Sequence, residues 1–254
     1  MDYQSRAQAK KLTGLSYYGM VNNSTKHEKA YKYQEMVYTL YLSPAKSSGY
    51  EVCPGRTTEC TAYCLNQSGR NKMVSDHNRI PASRTKKTRL LFEDREFTVR
   101  WIIDEITAAK AKADRDGYYF SVRLNNTSDI SPEDFYITIN GIKFNLLEIF
   151  PDIQFYDYTK VFSRYELLEK YSNYDLTFSY TGYNIDKCKT VLNQNGRVAV
   201  VFRSKIQPET FMGRKVINGD LYDLRYRDPK NVIVGLYFKT VRTKLTDNNI
   251  FVIG

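Results

Sequence analysis

The stretch LTFSYTGYNIDKCKTVLNQNGRVAVVFR, residues 176–203, holds one complete unit of the fold. Residues 176–179 and 198–202 are β-branched and apolar, which suits strands. Residues 185–194 between them read as a helix closed by Asn195-Gly196. A strand, a helix and a strand in succession make a βα unit, and such units build a mainly parallel sheet.

The same pattern extends both ways from this stretch. Upstream, residues 153–156 read as a strand followed by a helix over 164–171. Residues 142–150 read as a short helix. Residues 118–124 (YYFSVRL) read as a strand that breaks into NNTSDISPED. Before that strand, one long helix is expected from an N-cap at Ser83 to about Asp114, with Gly117 ending it. Leu90, Leu91, Phe97, Trp101, Ile102 and Ile106 supply its apolar stripe. The first strand is residues 36–42 (MVYTLYL). Downstream, residues 204–230 form a polar insertion before a last strand at 232–238. The expected fold is α/β, a partial (βα)6 barrel-like and mainly parallel sheet with a cysteine loop after its first strand. Residues 1–35 are polar and read as a loosely packed leader, and residues 36–254 as a single domain.

A chain of 254 residues with 42% hydrophobic content supports a sizeable core. Its longest apolar runs are too short to span a bilayer, and its N-terminus carries no apolar signal region, so neither membrane insertion nor export is expected. The net charge of +10 favours polyanionic partners, whether nucleic acid, a nucleotide or another anionic small molecule. Because the charge is dispersed, a plain solvated surface accounts for it equally well. The 22 tyrosines accompany abundant Lys and Asn, which points to an AT-rich genome and not to a base-stacking platform.

Chemistry concentrates in CPGRTTECTAYCL, residues 53–65, where Cys53, Cys60 and Cys64 are spaced C-x6-C-x3-C. Four cysteines are too few for a disulfide scaffold. Pro54-Gly55 supplies a bend, and Cys60 and Cys64 share a face if a helical turn joins them. A structural zinc needs a fourth ligand, from His77 or Cys188, whereas a catalytic zinc keeps an open position. A 4Fe–4S cluster on three thiolates leaves one iron open and is the leading reading; zinc and metal-free thiols are the alternatives. Polar residues also follow the strand cores: Asn125, Asn126 and Asp129, then Asp157 and Lys160, then Ser179, then Arg203. Ligands of parallel sheets bind at the carboxyl ends of the strands, so Asn125, Asp129, Asp157, Lys160, Ser179 and Arg203 are candidate cofactor contacts. Asn126 reads as a turn residue.

About six βα units with three cysteines after the first strand, and Tyr63 directly before Cys64, resemble the plan of radical S-adenosylmethionine enzymes. That resemblance implies S-adenosylmethionine on the open iron and Tyr63 packed beside the cofactor. The usual spacing there is C-x3-C-x2-C, however, and the glycine-rich segment after the second strand is missing here. A second resemblance covers most of residues 40–254 and is closer. It rests on SPAKSSGYEVCPGRTTECTAYCLNQSGR, TRLLFEDREF, RLNNTSDI, FPDIQFYDYTK, LTFS, VAVVFR and GDLYDLRYRDP followed by VIVGL. These segments are similar to a phage protein family named after gene product 88 of a mycobacteriophage. The family implies a phage origin and action in the cytoplasm of an infected bacterium, without a function. It draws attention to Asp220 and Asp223 as a candidate acid/base pair, or else as part of a charged turn. The competing reading is a zinc-stabilised nucleic-acid-binding or host-interaction protein without catalysis.

Overall fold

The computed structural model describes residues 1–22, 28–68, 79–239, 241, 243–246 and 248–254. β1 (Met20–Val21) runs antiparallel to β2 (Glu35–Thr39), where the parallel series starts. The chain continues through β3 (Tyr119–Arg123), a separate hairpin of β4 (Tyr136–Ile139) and β5 (Ile142–Asn145), then β6 (Gln154–Thr159), β7 (Tyr174–Ser179) and β8 (Arg197–Phe202). A hairpin of β9 (Thr210–Phe211) and β10 (Arg214–Asn218) precedes β11 (Val232–Tyr237), and β12 (Val252–Ile253) comes last. The helices are α1 (Arg6–Thr13), α2 (Thr58–Ala62), α3 (Arg79–Glu93), α4 (Arg95–Arg115), α5 (Leu146–Ile149), α6 (Leu167–Lys170) and α7 (Ile185–Asn193).

The spatial order is β1-β2-β3-β6-β7-β8-β11-β10-β9, and every pair from β2 to β10 is parallel. The mainly parallel α/β sheet is therefore present, with successive units side by side. It is open: antiparallel β1 lies at one edge, antiparallel β9 at the other, and no pairing between them closes a barrel among the described residues.

Alternation along each strand splits its side chains between two faces. One face is apolar. Met36, Tyr38, Phe120, Val122, Phe155 and Leu176 meet Phe97, Trp101, Ile102 and Ile106 of α4 in the main core. Farther along, Phe178, Val198 and Val200 meet Cys188, Val191 and Leu192 of α7. The other face carries Glu35, Arg123, Tyr156, Tyr158, Asp175 and Arg197. Residues 219–228 cross it: Leu224 packs on Val37 and Tyr156, while Arg123 pairs with Asp223 and Arg227 with Glu35.

Three expectations are corrected. The long helix is two: Ser83 lies inside α3, and Asp94 caps α4 by accepting from the Phe97 amide at 3.4 Å. Leu90 and Phe97 lie seven residues apart, two helical turns, so the apolar stripe runs on through the break and hides it from the sequence. Residues 142–150 begin as a strand, because Asn140 and Gly141 both have positive φ (50° and 80°) and turn β4 into β5. A capping box between Asn145 and Glu148 then starts α5. Finally, residues 1–22 of the expected leader are not loosely packed. They place Ala9, Leu15 and Tyr18 in the main core, and Tyr18 donates from its hydroxyl to the Lys87 carbonyl at 2.7 Å.

Candidate functional site

Parallel strands bring the loops after β2, β3, β6, β7 and β8 to one end of the sheet. The cysteine loop is built there from local bonds. The Cys53 amide donates to Glu51 at 2.9 Å, and Glu51 pairs with Arg56 at 3.0 Å. The Arg56 amide closes the Pro54-Gly55 turn onto the Cys53 carbonyl at 3.0 Å. Thr57 caps α2 by accepting from the Cys60 amide at 3.1 Å, and Cys64 follows one turn later. All three thiols are half-buried.

The loop is tied to the next two strand ends. The Asp129 amide donates to the Val52 carbonyl at 2.7 Å, and the Cys53 thiol lies 3.8 Å from the Thr127 carbonyl. Gly55 sits so close to Lys160 that an added Cβ would come within 2.9 Å of its carbonyl carbon. The Lys160 amide in turn donates to Asp129 at 2.8 Å.

Two cations lie in electrostatic reach of the sulfurs. Burial alone would lower the Lys160 ammonium, but Cys60, Asp129, Cys53 and Cys64 surround it and hold it above its ordinary value. Arg84 of α3 lies near Tyr41 and Cys64. Burial lowers it, and Tyr41 and Cys64 oppose that fall. Its guanidinium sits 5.0 Å from the Tyr41 ring centre and donates to Asn66. Burial also pushes the Cys53 thiol up to about 12, and the Cys64 thiol upward.

Three half-buried thiols with two cations in electrostatic reach form a soft, anion-tolerant donor set, and the chemistry of that set fits an iron–sulfur cluster. A single ion needs its ligands about 2–2.3 Å from one centre. Among the described residues no three Cys, His, Asp or Glu side chains are grouped to hold one ion. Cys188 is no fourth ligand here: it is buried with Val191 and Leu192 on the apolar face. His77, His27 and the Gly69-Arg70 pair that trails the loop lie outside the described residues.

The other expected contacts divide. Lys160 faces the thiols. Asn125, Asp129 and Asp157 come together, but with one another and the scaffold. Asp157 accepts from the Asn125 amide (2.8 Å), the Asn125 side chain (2.9 Å) and the Tyr174 hydroxyl (3.1 Å), and pairs with Arg164 at 3.3 Å. Asp129 also pairs with Arg164. Ser179 is buried, and its carbonyl accepts from Asn184 at 3.0 Å. Arg203 is exposed, with its amide bonded to the Ile253 carbonyl at 2.8 Å. Tyr63 packs in a cluster with Phe238, Val241, Phe251 and Val252, and Cys60 packs against the same cluster.

Asp220 and Asp223 serve different elements. Asp223 is buried on the polar face, where it pairs with Arg123 and accepts from the Tyr158 hydroxyl at 3.0 Å. Asp220 accepts from the Tyr237 amide at 2.6 Å, at the end of β11. Arg84 and Arg164 were missed by sequence reasoning. Arg84 shares its helix with exposed Lys86 and Arg89 and with buried Lys87, so only its place in the helix separates it from them.

A groove of about 410 Å³ opens beside the loop, lined by Glu51, Pro54, Arg95, Asp129, Glu133 and Arg164 among others. No helix among the described residues is long and apolar enough to cross a membrane. The family model described as Gene product 88 matches residues 6–249, and this supports the phage origin inferred from the sequence. No curated protein and no solved structure matches the chain.

Proposed function

The chain belongs to the Gene product 88 family, and from that premise we propose that it is a phage-encoded iron–sulfur protein whose Cys53, Cys60 and Cys64 hold a 4Fe–4S cluster. The observation that carries this reading is the arrangement of three half-buried thiols with Lys160 and Arg84 in electrostatic reach. Thiolates and a cluster together carry negative charge, and burying that charge needs nearby cations. Three protein ligands leave one iron open to a small ligand at the strand-end mouth.

S-adenosylmethionine is not part of the proposal. Asn125, Asp129 and Asp157, the residues expected to bind it, direct their polar atoms to one another and to Arg164. Tyr63 faces the end of the chain. An anionic small molecule drawn by Lys160 and Arg84 is the better fit to the mouth. A zinc-stabilised binding protein is the second reading, since thiolates also suit zinc and the net charge is +10.

Anaerobic purification followed by iron and acid-labile sulfide analysis tests the proposal. The expected result is a brown protein with about four irons and four sulfides per chain. Cys60→Ser should lose both while keeping its far-UV circular dichroism. A colourless protein with zinc and no sulfide would overturn the cluster and leave the second reading.

A further inference from the structure

The opposite end of the sheet carries a group of exposed aromatic rings with no role in the cysteine site. Segment 28–33, EKAYKY, runs into β2, and the register that sets Glu35 beside Tyr119 brings its tyrosines to the start of β3. The Tyr119 amide fixes the two by donating to the Gln34 carbonyl at 2.8 Å. Tyr31 meets Tyr118 edge-on at 5.4 Å, and Tyr33 meets Tyr222 at 4.8 Å. The Arg227 guanidinium lies 5.4 Å from the Tyr119 ring centre and bonds the Tyr33 carbonyl at 3.2 Å.

These rings are held in place and still open to solvent. Tyr31 and Tyr33 are each 42% exposed and Tyr119 67%. Exposed aromatic rings gathered at one end of a sheet mark an interaction site. Its charges favour an anionic partner. Lys32 is exposed between Tyr31 and Tyr33, and the segment holds two lysines against one acid. The nearby carboxylates are already engaged, Glu35 with Arg227 and Asp116 with Lys112.

We infer that this end of the sheet is a stacking platform for single-stranded nucleic acid, with Tyr31, Tyr33 and Tyr119 as the stacking rings and Lys32 as a phosphate contact. Unpaired bases present the π-faces that such rings accept, and duplex bases do not. The net charge of +10 adds long-range attraction to the backbone. Tyrosine abundance alone is uninformative, but here the positions of the rings make the case. The platform is independent of the cysteine site at the other end of the strands.

Fluorescence anisotropy with labelled oligothymidylate and oligouridylate of about 16 nucleotides tests this, the two arms separating DNA from RNA. The purified full chain should bind at least one, with affinity falling steeply as salt rises. The triple variant Tyr31→Ala, Tyr33→Ala, Tyr119→Ala should lose roughly tenfold or more per ring. Tyr183→Ala, at the opposite end and 65% exposed, should bind like the unaltered chain. If the triple variant does not fold, Tyr119→Ala alone should still lose about tenfold. No binding by the unaltered chain, or equal binding by the folded variants, overturns the platform. So does an oligomer that binds no oligonucleotide and that Tyr119→Ala dissociates in sedimentation, because the patch is then a protein interface.

Discussion

The Tyr63 hydroxyl accepts a hydrogen bond from the Thr246 amide at 3.2 Å, so the residue before the last cysteine is held by the end of the chain. The tail reaches it because β12 pairs with β8 at Val201 and Phe202, beyond the point where β7 leaves β8. Phe251 then stacks near Tyr63 at 6.5 Å. Tyr63→Phe keeps the ring and should cost about 1 kcal/mol of stability. Tyr63→Ala should cost about 3–5 kcal/mol, in the range of other buried aromatic deletions, and should lower iron per chain. Urea unfolding with parallel iron analysis reads both effects. Equal stability for the two variants would mean that the tail does not hold the loop.

Gly55 gives a sharper handle on the same loop. Its missing Cβ would lie 2.9 Å from both the carbonyl carbon and the Cβ of Lys160, and backbone there cannot swing aside as a side-chain tip does. Gly55→Ala should push the loop off the end of β6, at a cost of about 1–3 kcal/mol. Iron retention should fall more than the urea midpoint suggests, because the displaced residues adjoin Cys53. Full iron content and an unchanged midpoint would show that the close approach is not needed.

The polar face of the sheet rests on paired charges. Arg123 and Asp223 are both buried and are joined to each other, with Arg123 also lying 4.7 Å from the Tyr158 ring centre. Arg123→Met removes the buried cation that pairs with Asp223 and should cost about 3–5 kcal/mol. Adding Asp223→Leu removes the carboxylate that lost its pair, so the double variant should recover much of that loss. Chemical denaturation of the three variants completes the cycle. Additive losses would show that the two side chains act separately.

These charges show where sequence reading stops. The six central strands were legible because their β-branched and aromatic runs declare themselves locally, and parallel order then follows from the alternating helices. The placement of the cysteine segment after β2 and of Lys160 after β6 was legible for the same reason, since position along the chain sets it. Arg123 finds Asp223 a hundred positions away, and nothing near either residue announces the other. Arg84 gains its meaning only when α3 brings it to Tyr41, Asn66 and Cys64. Tyr63 was read from its neighbour Cys64, yet Phe238, Val241, Phe251 and Val252, far along the chain, pack in its cluster. Asn140-Gly141 was a local signal of the β4–β5 turn, and the apolar residues after it were read with the wrong period.

Lys87 supplies a pH test away from the cysteines. It is buried under α1 and its connection to β1, and burial brings its ammonium down to about 8, with Glu105 opposing and Arg84 adding to the fall. Its ammonium lies 4.4 Å from the Tyr17 ring centre. In the unfolded chain the same group titrates near its ordinary value of about 10.4. Between those values the unfolded state binds more protons than the folded one, so this group makes stability rise with pH from about 8 to about 10. Below pH 8 the folded protein holds a buried charge at a cost of about 3 kcal/mol. Lys87→Met removes that cost. Glu105 stays satisfied in the variant, because it accepts from the Tyr18 and Gly19 amides at 2.9 and 2.7 Å and from the Tyr38 hydroxyl at 2.7 Å. The variant should therefore be more stable than the unaltered chain at pH 7, and the gap should narrow steadily toward pH 10. Urea unfolding of both proteins across that range measures the gap, and a gap that stays constant with pH would show that Lys87 keeps its ordinary titration in the fold.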